Sequence, residues 1–268
     1  MNYDIAVFDL DGTLTNSEKK ITEKTKESLM KFMDLGGMVV LASGRPTYGV
    51  RPVAEELQLA ERGGYILAFN GGQIISCRDD SYLHRCVMPE DAPAKLAEFS
   101  AAHNTVVLTY KDDTILTVDP DDIYVQKEAA INHMKVALVE DFAGEIDFPV
   151  TKCMLVGEGN WLATVEEKTK EKFGADYSIT RSEPYFLEIM PNGIDKAQSL
   201  ERFLNLIGST KDRMAAFGDG FNDLSMIKYA GLGVAMGNAQ QPVKDAADLI
   251  APTNDEDGIA WVMENYIF

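Results

Sequence analysis

Residues 5–13 read IAVFDLDGT, a short apolar run that ends at two aspartates and a glycine. Four successive apolar residues are typical of a strand that is buried on both faces of a parallel sheet. Asp9 and Asp11 then lie at the carboxyl end of this strand, and ligands of open α/β sheets bind at that edge. The segment therefore predicts a buried central strand with a polar site at its end.

The segments that follow alternate between helix and strand. A helix is predicted from Glu23 to Leu35, a buried strand from Met38 to Ala42 and a third strand from Tyr65 to Phe69. The pattern returns near the C-terminus, with a helix from Asp195 to Leu206 and a strand from Met214 to Phe217. Such alternation predicts an α/β fold with a Rossmann-like parallel sheet and right-handed crossovers.

Between these two parts the pattern changes to short β-rich segments. Thr105–Tyr110 and Thr114–Val118 predict an antiparallel hairpin, and a helix is expected between Trp161 and Phe173. This stretch is interpreted as a separate domain inserted into the first. The predicted domains are a discontinuous core of residues 1–84 and 188–268 and an inserted α/β (α+β) domain of residues 85–187.

Composition excludes several classes of protein. The 268 residues are 46% hydrophobic and 25% charged, as in ordinary soluble proteins. No apolar run approaches the roughly 20 residues that span a bilayer, and the N-terminus lacks the features of a secretory signal, so we expect a cytoplasmic protein without membrane contact. The net charge of −18 argues against nucleic acid as a partner. The three cysteines include no close pair, and no obligate protein partner is evident.

Three polar clusters each follow an apolar strand directly. They are Asp9 with Asp11, Ser43 with Gly44, and Asp219 with Asn222 and Asp223. Four carboxylates at one edge of a sheet would repel one another. Either some of them turn outward to solvent, or a divalent cation binds among them, and Mg²⁺ suits carboxylates together with a substrate phosphate. The joint placement of the clusters favours the cation.

The two aspartates at the end of the first strand can divide one reaction between them. One carboxylate attacks phosphorus, and the other donates a proton to the leaving oxygen and later takes one from water. Simple turn chemistry at Asp11-Gly12 is the alternative. Ser43 and Gly44 are either turn residues or donors to phosphate oxygens. Lys196, at a predicted helix start, is either a surface lysine or the local positive charge that an anion site needs.

Four segments resemble, in order, the four motifs of the haloacid dehalogenase superfamily. They are Phe8–Leu14, Ala42–Pro46, Gly193–Lys196 and Gly218–Asp223. Asn70–Gly72 and Gly233–Ala239 are similar to segments of the Cof-type phosphatases, which carry a type IIB cap. The matches lie in both outer parts of the chain, and four in order are highly specific.

The resemblance implies a role at each matching position. Asp9 would be the nucleophile, Asp11 the general acid/base and Lys196 a further catalytic residue. Phosphate or substrate binding is implied for Leu10, Ser43, Gly44, Arg45, Lys196 and Asn222, and metal binding for Asp9, Asp11 (through its carbonyl), Asp219 and Asp223. Arg45 is also placed to bridge to the cap. Because the dehalogenases of the superfamily lack the second aspartate, Asp11 favours phosphatases and phosphomutases.

The predicted function is Mg²⁺-dependent hydrolysis of a small phosphorylated metabolite through an aspartyl-phosphate on Asp9. The resemblance suggests sugar phosphates, pyridoxal phosphate or flavin mononucleotide as substrates. A phosphomutase with the same aspartates and a non-catalytic phosphometabolite sensor are the alternatives. The inserted domain would be the cap that selects the substrate. There Tyr110, Tyr124 and Lys127 either face the substrate or serve packing or solvation.

Overall fold

A computed structural model describes residues 3–268 and shows two compact units. One unit contains the chain up to His84 together with Asp195–Phe268, and the other is Arg85–Ile194. The second boundary between the units therefore lies after residue 194, whereas the sequence predicted it after residue 187. The physical reason is that strand Phe186–Pro191 pairs with two strands of the second unit.

The chain forms fourteen strands and eleven α-helices among the described residues. The strands are β1 (Ile5–Phe8), β2 (Met38–Ala42), β3 (Tyr65–Ala68), β4 (Gln73–Ser76), β5 (Tyr82–Arg85), β6 (Val106–Lys111), β7 (Thr114–Thr117), β8 (Lys135–Leu138), β9 (Cys153–Val156), β10 (Tyr177–Glu183), β11 (Phe186–Pro191), β12 (Met214–Gly218), β13 (Leu232–Ala235) and β14 (Leu249–Ile250). The helices are α1 (Glu23–Asp34), α2 (Thr47–Glu56), α3 (Leu59–Arg62), α4 (Ala92–Ala102), α5 (Ile123–Asn132), α6 (Phe142–Glu145), α7 (Gly159–Phe173), α8 (Lys196–Ile207), α9 (Leu224–Tyr229), α10 (Gln241–Ala246) and α11 (Gly258–Val262). Short 3₁₀ turns occupy Phe69–Gly71, Lys211–Arg213, Phe221–Asp223 and Asn254–Glu256, and Met263–Ile267 forms a π-helical turn.

The first unit is built on an eight-stranded sheet of order β14-β13-β12-β1-β2-β3-β4-β5. All neighbours from β14 to β3 are parallel, whereas β4 runs antiparallel to β3. The central strand β1 is buried throughout, as its four apolar residues predict. Phe8 lies in register with Leu41 of β2 and Phe217 of β12. The three polar clusters that follow these strands therefore leave the same edge of the sheet, and the predicted fold class is confirmed.

The core of this unit lies between the sheet and helix α8. The helix begins behind Asp195, whose carboxylate accepts a hydrogen bond from the Gln198 N–H at 3.1 Å and so caps the first turn. Leu200, Phe203 and Leu204 on its inner face join a cluster with residues of β1, β2, β3 and β12. Packing of this face fixes the position of the N-terminal turn of the helix.

The second unit is a six-stranded sheet of order β10-β11-β9-β6-β7-β8, antiparallel except between β7 and β8. Its buried cluster includes apolar residues of α4 and α7. The predicted hairpin is β6–β7, and the predicted helix is α7. Helix α5 was not predicted, because it buries Glu128 and Asn132 while Ile123 and Ile131 are exposed, so no apolar stripe marks it. No helix in the described part of the chain is both long and apolar enough to cross a bilayer.

Two positions on α8 test its role in the core. Phe203 is fully buried with its ring 4.8 Å from that of Tyr65, whereas Leu206 is 54% exposed. We expect Phe203→Ala to lower the free energy of unfolding by about 3–5 kcal/mol. The control Leu206→Ala should change it by no more than about 0.5 kcal/mol. Urea denaturation followed by circular dichroism measures both, and equal losses would contradict the assigned packing.

Candidate active site

The polar site of the first unit lies where β1, β2 and β12 end. The Asp9 N–H donates to the Phe217 carbonyl at 3.0 Å, which extends the sheet by one residue beyond β1. In the same way the Ser43 N–H donates to the Leu67 carbonyl at 2.9 Å. The backbone of both residues is therefore held by the sheet, and their side chains start from fixed positions.

Lys196 supplies a buried positive charge to this site. Its side chain is fully buried at the first residue of α8, and its ammonium group donates to Asp9 Oδ1 at 2.7 Å and Asp223 Oδ1 at 2.6 Å. A charge buried in this way is stable only when it is paired and hydrogen-bonded, and removal of one partner is strongly destabilising. The lysine thus joins the ends of β1 and β12 through one charged group.

The loop after β12 is held by Asp223. Its Oδ2 accepts hydrogen bonds from the backbone N–H groups of Asp219 (3.0 Å) and Gly220 (2.9 Å). The Thr13 hydroxyl, from the β1 loop, donates to Asp219 Oδ1 at 2.7 Å. Both oxygens of Asp223 therefore have donors, and the loop that carries Asp219 is tied to the loop that carries Asp9.

Three of the carboxylates form a group that could hold a metal ion. One oxygen from each of Asp9, Asp219 and Asp223 lies within 4.8 Å of the others. Burial and the Asp223 carboxylate raise the pKa of Asp9 to about 8, although Lys196 opposes the change. Burial also raises the pKa of Asp219. Only two of the three carboxylates bond to the Lys196 ammonium group, so a divalent cation would offset their remaining repulsion, and oxygen donors fit a hard cation.

Asp11 lies in a different environment from Asp9. The Arg45 guanidinium donates from Nε to Asp11 Oδ2 at 2.8 Å and from Nη2 to Oδ1 at 2.6 Å. Lys19 donates to the same Oδ1 at 2.8 Å. Burial opposes the effect of these cations, but the hydrogen bonds and charge of Arg45, with those of Lys19, hold the pKa of Asp11 below its usual range.

Ser43, Gly44 and Asn222 all lie next to Asn70. The Asn70 N–H donates to the Ser43 carbonyl at 2.8 Å, and the Asn222 amide donates to Asn70 Oδ1 at 3.1 Å. A Cβ built on Gly44 would lie 3.3 Å from the same Asn70 oxygen. These predicted phosphate-binding residues therefore come together at the sheet edge. Leu10, which the resemblance also assigned to substrate binding, is fully buried.

Several residues that support the site were not assigned a role from the sequence. Thr13, Asn70 and Asn238 stand inside the recognised motifs, and that position was their only signal. The Asn238 amide donates to the Gly12 carbonyl at 2.7 Å. Lys19 stands outside every motif, and nothing in the sequence marked it as a partner of Asp11.

The three residues for which the sequence left substrate contact, packing and solvation open lie in the second unit. The Tyr110 hydroxyl donates to Glu128 at 2.8 Å. Tyr124 stacks on Tyr185 with ring centroids 5.4 Å apart, and the Lys127 ammonium lies 3.8 Å from the centroid of the Tyr185 ring. Each of the three side chains thus has a partner within its own unit.

Comparison with known proteins agrees with this geometry. A family model described as haloacid dehalogenase-like hydrolase matches residues 6–263. The chain is 30% identical over 263 residues to 5-amino-6-(5-phospho-D-ribitylamino)uracil phosphatase YcsE of Bacillus subtilis, with 98% of this chain and 95% of that protein covered. The crystal structure of a haloacid dehalogenase-like hydrolase from Bacteroides thetaiotaomicron superposes with a TM-score of 0.96 at 48% identity, covering 99% of this chain and all of that chain (100%). The subclass IIB sugar phosphatase BT4131 superposes with a TM-score of 0.80 at 25% identity, with 98% of each chain covered.

The chain therefore belongs to the haloacid dehalogenase-like hydrolase family, as its four motifs predicted. Within that family it is similar to phosphatases of subclass IIB, and the predicted enzyme class, a phosphatase, is confirmed.

Gly12 allows the β1 loop to approach Asp219 closely. Its φ is +85°, and a Cβ at this position would lie 2.5 Å from Asp219 Oδ2. Gly36 has nearly the same φ, +89°, but a Cβ there would have no neighbour within 4 Å. Substitution of each glycine therefore distinguishes the effect of backbone strain from the effect of contact with the site.

We expect Gly12→Ala and Gly36→Ala each to destabilise the protein by about 1–2 kcal/mol through strain, because both place a Cβ at positive φ, and Gly12→Ala to destabilise it further through its contact with Asp219. Only Gly12→Ala should also lower kcat/KM for p-nitrophenyl phosphate, by on the order of 100-fold, because it displaces Asp219. Thermal denaturation and phosphate release measure the two effects. An equal loss of activity in both variants would show that strain alone matters.

Proposed function

We propose that this protein is a Mg²⁺-dependent phosphatase that hydrolyses small phosphorylated metabolites through an aspartyl-phosphate on Asp9. The observation that carries the proposal is the buried Lys196, whose ammonium group holds Asp9 Oδ1 beside Asp219 and Asp223. A structural ion pair would need only one carboxylate for each cation. The additional carboxylates are explained by a reaction that uses one of them as a nucleophile and others as metal ligands.

In the first step Asp9 attacks the phosphorus atom of the substrate. Because Lys196 holds Oδ1, we assign the attack to Oδ2. A bond forms between Asp9 Oδ2 and phosphorus, and the bond between phosphorus and the substrate oxygen breaks. Asp11, in the protonated form that the second step regenerates, gives its proton to that oxygen and becomes the carboxylate that Arg45 binds. Lys196, Ser43 and Asn222 would donate hydrogen bonds to the phosphate and neutralise its charge.

In the second step Asp11 takes a proton from water. The water oxygen attacks phosphorus, the bond to Asp9 breaks, and inorganic phosphate is released. The ion pair with Arg45 suits this step, because it favours the ionised carboxylate that accepts a proton. Asp9 and Asp11 are thus assigned the roles of nucleophile and general acid/base.

Asp9 and Asp219, with the backbone carbonyl of Asp11, would hold the metal ion. Asp223 already accepts hydrogen bonds at both oxygens, so we assign it to orient Lys196 and the Asp219 loop and to add charge to the site. When bound, Mg²⁺ would neutralise the phosphate and keep Asp9 ionised at neutral pH.

Sugar phosphates are the substrate class that we propose first. The support is that BT4131 is a sugar phosphatase and that YcsE acts on a phosphorylated ribityl compound, by their names. Flavin mononucleotide and pyridoxal phosphate follow. A panel of these compounds ranked by kcat/KM identifies the substrate. Formation of an isomeric sugar phosphate in place of inorganic phosphate would indicate a phosphomutase instead.

Asp9→Asn should abolish phosphate release, by on the order of 10⁴-fold or more, because an amide cannot attack phosphorus. The substitution preserves the shape of the side chain, and circular dichroism checks that the variant is folded. Acid-quenched wild-type protein should carry a phosphoryl group that mass spectrometry detects at residue 9. A folded Asp9→Asn variant that releases phosphate at the wild-type rate would overturn the assignment.

Mg²⁺ should stabilise protein that has been stripped of metal by chelation. At a concentration of 100 times Kd we expect Tm to rise by about 5–10 °C. Asp219→Asn should reduce this rise strongly, because it removes a charged ligand. Asp245→Asn, at an exposed aspartate of α10 that pairs with Gln241, is the matched control and should retain it. Equal Tm shifts in the two variants would contradict a metal site at Asp219.

A further inference from the structure

Arg45 holds the carboxylate of Asp11 with two hydrogen bonds from one planar group. Its Nε and Nη2 donate to different oxygens of Asp11, at 2.8 and 2.6 Å. Two parallel bonds of this kind fix the orientation of a carboxylate as well as its distance, which a single ammonium group does not do. Asp11 is therefore oriented as well as neutralised.

The backbone and the guanidinium group of Arg45 are both held in place by neighbouring residues. The Arg45 N–H donates to Ser43 Oγ at 3.1 Å, and its carbonyl accepts from the Phe69 N–H at 3.0 Å. Nη1 donates to the Gly49 carbonyl at 3.4 Å, at the start of α2. The arginine is thus fixed by the segments that follow β2 and β3, and it transmits their position to the loop that follows β1.

Lys19 also contacts Asp11 but is a weaker constraint. It donates one hydrogen bond, at 2.8 Å, and its side chain is 62% exposed, whereas that of Arg45 is 19% exposed. Ion pairs of exposed lysines contribute little, because water and salt screen them. The geometry of Asp11 therefore depends on Arg45.

We infer that Arg45 is a positioning residue, which aims the Asp11 carboxyl group at the leaving oxygen of the substrate. This inference rests on the proposed function, since it requires Asp11 to be the general acid. The role differs from phosphate binding, because a phosphate ligand would act on every substrate equally. An effect through Asp11 depends on whether the leaving group needs a proton.

Two kinds of substrate distinguish these roles. A sugar alcohol leaves only when its oxygen is protonated, whereas p-nitrophenolate leaves as a stable anion. The parameter to compare is kcat/KM, because it reports on the steps up to departure of the leaving group and not on hydrolysis of the aspartyl-phosphate. Arg45→Lys keeps the positive charge but loses the paired hydrogen bonds. Arg51→Lys, at an exposed ion pair between α2 and Asp80, is the matched control.

We expect Arg45→Lys to lower kcat/KM for the best sugar phosphate by about 100-fold, and for p-nitrophenyl phosphate by less than about threefold. Arg51→Lys should leave both values unchanged, and Arg45→Lys should keep the Mg²⁺-dependent rise in Tm. Equal losses on both esters would overturn the inference and make Arg45 a phosphate ligand or a structural residue. An unchanged or higher rate on the sugar phosphate would also overturn it.

Different results would overturn the proposed function and the role of Arg45. If Asp9→Asn retains wild-type phosphate release, the nucleophile is wrong, whatever Arg45 does. If Asp9→Asn is inactive and Arg45→Lys shows no difference between the two esters, only the role of Arg45 is wrong.

Discussion

The active site depends on one buried ammonium group that lies between two carboxylates. Lys196 is fully enclosed and donates to Asp9 and Asp223, and a charge buried in this way is stable only when it is paired and hydrogen-bonded. Its own position is secured by α8, which Asp195 caps and whose Ser199 hydroxyl donates to the Gly71 carbonyl at 2.9 Å. Helix packing and site chemistry are therefore not independent, because any shift of the first turn of α8 breaks both ion pairs.

Two aspartates separated by one residue acquire opposite properties from their neighbours. Asp9 is buried among other carboxylates, which raises its pKa, whereas Asp11 faces Arg45 and Lys19 and has a lowered pKa. The raised pKa of Asp9 indicates that the positive charge nearby does not balance its burial and the neighbouring carboxylates. A divalent cation would lower this pKa. The lowered pKa of Asp11 comes from side chains of the protein itself. Cations of the fold thus lower the pKa of Asp11, whereas Lys196 alone does not offset the effects that raise the pKa of Asp9.

The elements that position the site were predictable from the sequence because burial leaves a local signal. The strands β1 and β2 have the predicted bounds, since each is an apolar run between polar loops. The position of the polar clusters directly after apolar strands also predicted that they lie at one sheet edge, and the register of Phe8 with Leu41 and Phe217 agrees. By contrast, α5 left no such signal, because it buries polar residues and exposes isoleucines.

The sequence did not predict which charged side chains pair with one another. Arg45 was expected to contact phosphate, substrate or the cap, but its guanidinium lies on Asp11, 34 positions earlier in the chain. The motifs specify which residue types recur at the end of each strand, whereas the pairing depends on how far each loop reaches over its neighbour. Lys19 illustrates the same limit. A turn, in which the Lys19 N–H donates to the Asn16 carbonyl at 2.9 Å, brings its side chain to Asp11. Sequence motifs therefore identify the candidate reacting groups, and the loop geometry decides which charged side chains lie beside them.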